Sequence, residues 1–115
     1  MRRGEIRMVD LEPTVGAEAN KRRPAVIVSN DGANGVAHRL GRGTVTIVPV
    51  TTNISRVYPF QVLLRARLTG LAEHSKAQAE QVRSVDITRI GERVGIVTPE
   101  LLGAIDEALR LHLAL

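Results

Sequence analysis

The chain has 115 residues, 43% of them hydrophobic and 24% charged, with a net charge of +4 and a pI near 10.6; this is the size of one domain around one core, and residues 1–115 are expected to form it. Without cysteine there is no disulfide framework or thiolate metal site, and with one Phe, one Tyr and no Trp the core must be aliphatic and stacking of bases on several aromatics is excluded. The basic surplus is compatible with a polyanionic partner.

Residues 4–11 (GEIRMVDL) alternate apolar and polar side chains and read as a half-buried strand. Residues 12–23 carry Pro13, Gly16, Asn20 and five charged side chains, which marks a polar loop longer than a hairpin connection. Ala25 to Ser29 reads as a β-branched strand opened by Pro24, whose missing amide proton suits a strand start or edge. Residues 30–42 read as loop or a short helical turn. Gly43 to Val50 (GTVTIVPV) is the most strand-like stretch, with Val45, Ile47 and Val50 expected to face inward. Further strands are expected at Tyr58 to Leu64, Ala79 to Asp86 and Gly91 to Val97.

The period then changes. Thr98 is placed to cap a helix whose first position is Pro99, with Glu100 against the positive end of the dipole. Leu101, Leu102, Ile105, Ala108, Leu109 and Leu113 make an apolar stripe at spacings of three and four, predicting a helix that packs on a sheet. Many short strands closed by one helix give a mainly β (α+β) fold, a small curved sheet or partial barrel.

Three stretches hold candidate functional side chains. "NKRRP" sets Lys21, Arg22 and Arg23 where the polar loop meets a buried strand, so the charges stay at the mouth of the barrel; a solvated gatekeeper cluster would look the same. "PVTTN" releases Thr51, Thr52 and Asn53 from the end of the most buried strand, where they also suit a turn. "AEQVRS" puts Gln81 and Arg83 on one face of a strand. His38, His74 and His112 lie far apart, so no metal site and no cofactor is expected. Residues 1–7 have charge but no apolar segment, and no run approaches the roughly 20 residues of a membrane span, so a cytoplasmic protein is expected.

The successive segments "RRGEIRMVDLEPTVGAEANKRRPAVIVSND", "VTIVPVTTNISRVYPFQVLL", "KAQAEQVRSVD" and "RVGIVTPELLGAIDEALRLHL" resemble, in order and across nearly the whole chain, the MazF/PemK family of toxin endoribonucleases. The resemblance implies an SH3-like barrel with short helices and a C-terminal helix, a homodimer, metal-independent and sequence-specific cleavage of single-stranded RNA, and a MazE-type antitoxin whose acidic C-terminal segment occupies the RNA groove. By position it implies catalytic roles for Arg23 and Thr51. Lys21 and Arg22 are then phosphate contacts, and Glu18, Thr52, Asn53, Gln81 and Arg83 RNA-binding or loop-supporting residues. Three arginines depart from the family pattern: Arg7 stands where an aromatic is common, and Arg65 and Arg67 where small or polar residues are common. A non-catalytic SH3-like binding module is the alternative; it would not require Arg23 and Thr51 together.

Overall fold

The computed structural model describes residues 1–11 and 22–115. Among the described residues there are seven antiparallel strands: β1 (Glu5–Asp10), β2 (Arg22–Ile27), β3 (Thr44–Thr51), β4 (Gln61–Leu64), β5 (Ser75–Gln78), β6 (Arg83–Asp86) and β7 (Ile90–Ile96). Their order is β4-β5-β3-β2-β1-β7, with β6 also paired to β3. The described residues also form three α-helices, α1 (Asp31–Leu40), α2 (Ala66–Thr69) and α3 (Pro99–Leu113). The mainly β architecture agrees with the sequence expectation.

β3 organises the sheet because it is apolar on both faces. Val48 and Val50 join Ile6, Val26, Leu64 and Ile105 in one buried cluster. Val45 and Ile47 join Val9, Ala25, Ile27, Val85 and α1's Ala37 in another. Thus Val50 does not share an inward face with Val45 and Ile47: alternate side chains of one strand fill two cores. β3 also changes partner along its length, pairing β6 through Thr44 to Ile47 and β5 through Val50 and Thr51, which curls the sheet.

The C-terminal helix forms as its sequence dictates. Thr98 Oγ1 accepts the Leu101 amide at 3.2 Å, Pro99 occupies the first turn, and Ile105 and Ala108 are buried against the sheet. Leu113 does not continue the stripe; it is 49% exposed because the last turn runs past the sheet.

Four other expectations need correction. Residues 31–40, expected as a loop or short turn, form a helix of three turns whose Asn30 side chain caps the Ala33 amide and whose Gly41 ends it at φ 66°. Buried Asn34 ties this helix to the sheet, accepting from Ser29 Oγ and donating to the Ser29 carbonyl. The stretch 79–86 is not one strand: a 3-10 turn over Ala79–Gln81 precedes β6, and β5 lies before it. The strand expected from Tyr58 begins at Gln61, and β2 begins at Arg22, two residues before Pro24.

Candidate functional site

β2 and β3 pair through Ile27↔Ile47, Val26↔Val48 and Ala25↔Pro49. Carried two residues beyond its last pair, Ala25↔Pro49, this register sets Arg23 level with Thr51, and directly opposed residues of an antiparallel pair share a face. The ladder ends there for a chemical reason. Val28 donates to the Thr46 carbonyl, so alternate residues 26 and 24 are those whose amides point at β3. Pro24 has no amide proton to give, and pairing stops at Ala25. The two strands are thereby released from each other where the Arg23 and Thr51 side chains stand.

Arg23 is exposed, and while its backbone pairs with Val9 its side chain makes no hydrogen bond or ion pair among the described residues. Arg22 differs: it donates to Glu92 Oε1 on β7 at 2.6 Å. The Glu92 carboxyl is held below the ordinary carboxylate range, first by its own backbone amide and then by the Arg22 guanidinium. Of these two arginines, only Arg23 has its planar fork available to a ligand; the phosphate contact expected of Arg22 competes with a carboxylate. Lys21 and Glu18 lie outside the described residues.

Thr51 Oγ1 accepts the Asn53 amide at 3.2 Å. One lone pair is occupied, and the hydroxyl proton stays available for donation. Asn53 uses its side-chain oxygen to order its own turn, accepting from Ser55 Oγ at 2.9 Å and from the Ser55 amide at 3.4 Å. The structure therefore gives Asn53 a loop-supporting part. Thr52 is exposed beside it.

A basic group unnoticed in the sequence lies across from Thr51. The β3–β5 register pairs Thr51 with Lys76, which is only 7% exposed. Its ammonium donates to the Arg56 carbonyl at 2.6 Å and lies 6.0 Å from the Tyr58 ring centroid. Tyr58 stacks on Phe60 with centroids 5.2 Å apart, and the Arg56 guanidinium sits 5.6 Å from the Tyr58 centroid. A lysine in a weakly periodic four-residue strand gives no sequence signal; only the register reveals it.

Gln81 is exposed in the turn before β6, and the adjacent Glu80 accepts from Gln61 Nε2 at 2.6 Å, which fixes that turn to β4. Arg83 is opposite Ile47 in the β3–β6 register, so its Cβ lies on the same face as Arg23 and Thr51. Register thus gathers Arg23, Thr51 and Arg83 from three strands onto one face, with Gln81 two residues before Arg83. Gln81 is not on a strand face as the alternation suggested. Among the described residues no three His, Asp or Glu side chains could together hold a metal ion, and no helix is long and apolar enough to cross a membrane.

Comparison with known proteins agrees with this architecture. Residues 2–113 match the model of the family described as PemK-like, MazF-like toxin of type II toxin-antitoxin system. The chain is 60% identical over 115 residues to Endoribonuclease MazF9 of Mycobacterium tuberculosis (strain ATCC 25618 / H37Rv), covering 100% of this chain and 98% of that protein. It is 29% identical over 116 residues to Endoribonuclease EndoA of Bacillus subtilis (strain 168), covering 100% and 96%. Among solved structures, a MazE-MazF crystal structure from Deinococcus radiodurans superposes with a TM-score of 0.80 at 28% identity, covering 100% of this chain and 96% of that one. A match that runs from residue 2 to residue 113, over every described strand and helix, shows that the chain belongs to the PemK/MazF family of type II toxins.

Proposed function

We propose that this toxin is a sequence-specific endoribonuclease that cleaves single-stranded RNA without a metal, with Arg23 and Thr51 as its catalytic pair. The observation that carries the reading is the register: the two residue types suited to phosphodiester cleavage stand level on one face at the point where Pro24 ends the ladder. The kinship with MazF9 and EndoA, both endoribonucleases by name, supports the reaction class.

In RNA the nucleophile is tethered. The ribose 2′-hydroxyl loses its proton and attacks the adjacent phosphorus, the bond from phosphorus to O5′ breaks, and O5′ takes up a proton. The products are a 2′,3′-cyclic phosphate and a 5′-hydroxyl end. Catalysis then requires positioning and neutralisation of the charge that grows on the phosphoryl oxygens. Arg23 supplies both, holding two oxygens with one planar fork. Thr51 adds a neutral hydrogen bond from its hydroxyl. With a pKa above roughly 12, the Arg23 guanidinium is charged at neutral pH and acts as electrostatic stabiliser rather than base.

Arg83, Gln81 and Thr52 flank the pair as backbone or base contacts, with Glu18, Lys21 and Arg22 on the entering loop. The toxin works in the cytoplasm as a homodimer and is neutralised by a MazE-type antitoxin; the MazE-MazF complex of the Deinococcus relative supports this partner.

Incubating a defined single-stranded RNA with the protein in EDTA and mapping the ends tests the reading. Discrete cuts with 5′-hydroxyl termini are expected, and Arg23→Ala is expected to slow the chemical step about 150-fold, the equivalent of about 3 kcal/mol for one preorganised donor. Intact RNA that is nevertheless bound would make the protein a binding module, and full single-turnover rate in Arg23→Ala at saturating RNA would remove Arg23 from the mechanism.

A further inference from the structure

Residues 52–60 join β3 to β4 without helix or strand, and all but Ile54 and Phe60 are exposed. An exposed link of this kind has no regular backbone ladder to give it one shape. Yet its first residues set the Thr51 hydroxyl, because the Asn53 amide takes one lone pair of Thr51 Oγ1 and so limits where the hydroxyl proton can point. Whatever holds Asn53 therefore aims Thr51.

The links run from residue to residue. Asn53 Oδ1 accepts from the Ser55 amide and hydroxyl, and the carbonyl of the next residue, Arg56, accepts from the Lys76 ammonium at 2.6 Å. Lys76 is level with Thr51 in the β3–β5 register, so the path returns to the strand position from which it started. It is a firm end for that path, since β5 pairs there on both sides, with Thr51 on β3 and with Leu63 on β4. A second tether, from the Tyr58 amide to Gln61 Oε1 at 3.1 Å, fixes the far end of the link but not the stretch next to Thr51.

Lysine is a destabilising choice at this position. Lys76 is 7% exposed, and no carboxylate of a described residue pairs with it. Its ammonium has the Arg56 carbonyl and, 6.0 Å away, the Tyr58 ring. A buried ammonium without a counter-charge costs stability that an aliphatic side chain would not. We infer that Lys76 is a positioning residue for RNA cleavage, pinning the Arg56 carbonyl so that the 53–56 turn holds the Thr51 hydroxyl in the orientation that donates to the scissile phosphate. The inference rests on the role given to Thr51 under the proposed function. A direct phosphate contact is the competing role, but the Lys76 ammonium is already engaged and covered, whereas Arg23 on the same face is exposed and unengaged.

Single-turnover cleavage of a defined RNA at saturating protein separates chemistry from binding. Lys76→Met keeps an apolar stem and removes the donor; it should slow cleavage at least about tenfold, within the range that a small misplacement of a reacting group produces, with RNA affinity within about twofold of the parent. Asn53→Ala cuts the same path at an exposed link and should slow cleavage similarly. In the Thr51→Val background, adding Lys76→Met should cost less than about twofold, since both changes act through one hydroxyl. Circular dichroism of each variant should match the parent. The amides of residues 53 and 55 should exchange faster in Lys76→Met, and Tyr58, the one tyrosine of a chain without tryptophan, should become more open to fluorescence quenching by acrylamide. These last two readouts involve no RNA. Full rate in Lys76→Met or in Asn53→Ala, a Lys76→Met slowing that persists undiminished beside Thr51→Val, unchanged exchange at 53 and 55, or a loss of affinity with the salt slope reduced by about one, the mark of a phosphate contact, would each overturn the inference and leave the cleavage reaction standing. Full rate in Thr51→Val alone would instead remove Thr51 from the proposed mechanism, and the role of Lys76 with it.

Discussion

Three glycines separate steric necessity from mere tolerance. A Cβ on Gly95 would lie 2.4 Å from the Thr69 carbonyl oxygen, and 3.4 Å from Ile6 Cδ1 and from the Thr69 carbonyl carbon. The obstacle is backbone, so Gly95→Ala must push α2 off β7 by about 0.6 Å merely to reach a 3.0 Å approach, an overpacking that costs about 1–3 kcal/mol. Gly91 has its nearest obstacle at 2.6 Å, but that atom is the Arg22 guanidinium, the far end of a flexible side chain; only Met8's carbonyl, at 3.1 Å, is fixed. Gly91→Ala should therefore cost less and act partly by displacing Arg22 from Glu92. Gly103 sits inside α3 with nothing within 4 Å, so Gly103→Ala should stabilise the protein by about 0.8 kcal/mol through helix propensity alone. Urea titrations with a common slope give the ranking: the midpoint falls most for Gly95→Ala, falls less for Gly91→Ala and rises for Gly103→Ala. A Gly95→Ala protein as stable as the parent would refute the close packing of Thr69 on β7.

Thr98→Ala removes the side-chain acceptor of the Leu101 amide and should cost about 1 kcal/mol, readable as a lower urea midpoint, with Thr98→Ser retaining most of the stability. Asp86 accepts from the Thr88 amide and hydroxyl, which hold its carboxyl below the ordinary value of 3.8. A lowered folded pKa adds stability that is complete above the unfolded value and is lost as pH falls through the folded one. Asp86→Asn should accordingly lower the midpoint at pH 7, and the gap to the parent should close as the pH is taken below 3.8. Thr51→Val keeps the shape and removes the hydroxyl; it should slow single-turnover cleavage while leaving RNA affinity within a few-fold, and an equal loss in affinity would recast Thr51 as a binding residue.

The parts of the fold that could be read from the chain are those where one local rule acts without competition. Thr98, Pro99 and Glu100 announce α3, and an apolar stripe fixes its inner face; only Leu113 misleads, because periodicity does not say where the sheet beneath it ends. The helix at 31–40 hides behind Gly32, Gly35 and Asn34, poor helix formers whose burden is carried by an Asn30 cap, a Gly41 terminus and the buried pairing of Asn34 with Ser29. Its legible signals were the cap and the terminal glycine. Strand β3 is legible in the sequence but its two buried faces are not, since alternation detects a half-buried strand and here both halves are covered. In the site, Arg23 and Thr51 stand out in the sequence by type and position. Lys76 does not, because what brings it opposite Thr51 is a pairing of strands 25 residues apart in sequence.

The pairing of β2 with β3 explains why the chain concentrates charge just ahead of a buried strand. Ala25, Val26 and Ile27 are fully buried, while Arg23 and Arg22, one and two residues before Pro24, are exposed. Were residue 24 able to donate to β3, the ladder would extend toward Arg23 and draw its guanidinium along Thr51 as an ordinary cross-strand pair. By ending the ladder with a residue that cannot donate, the chain keeps the register that sets the two side chains level, yet leaves space between the strands for a ligand. Pro49 acts on the other edge of β3. It lies between Ile47, the last partner of β6, and Val50, the first partner of β5, where its absent amide leaves no donor unpaired as the strand changes neighbours. Two imino acids at Pro24 and Pro49 thus place interruptions where a continuous sheet would have sealed the face, and the arginine at the strand's mouth stays both aligned and accessible.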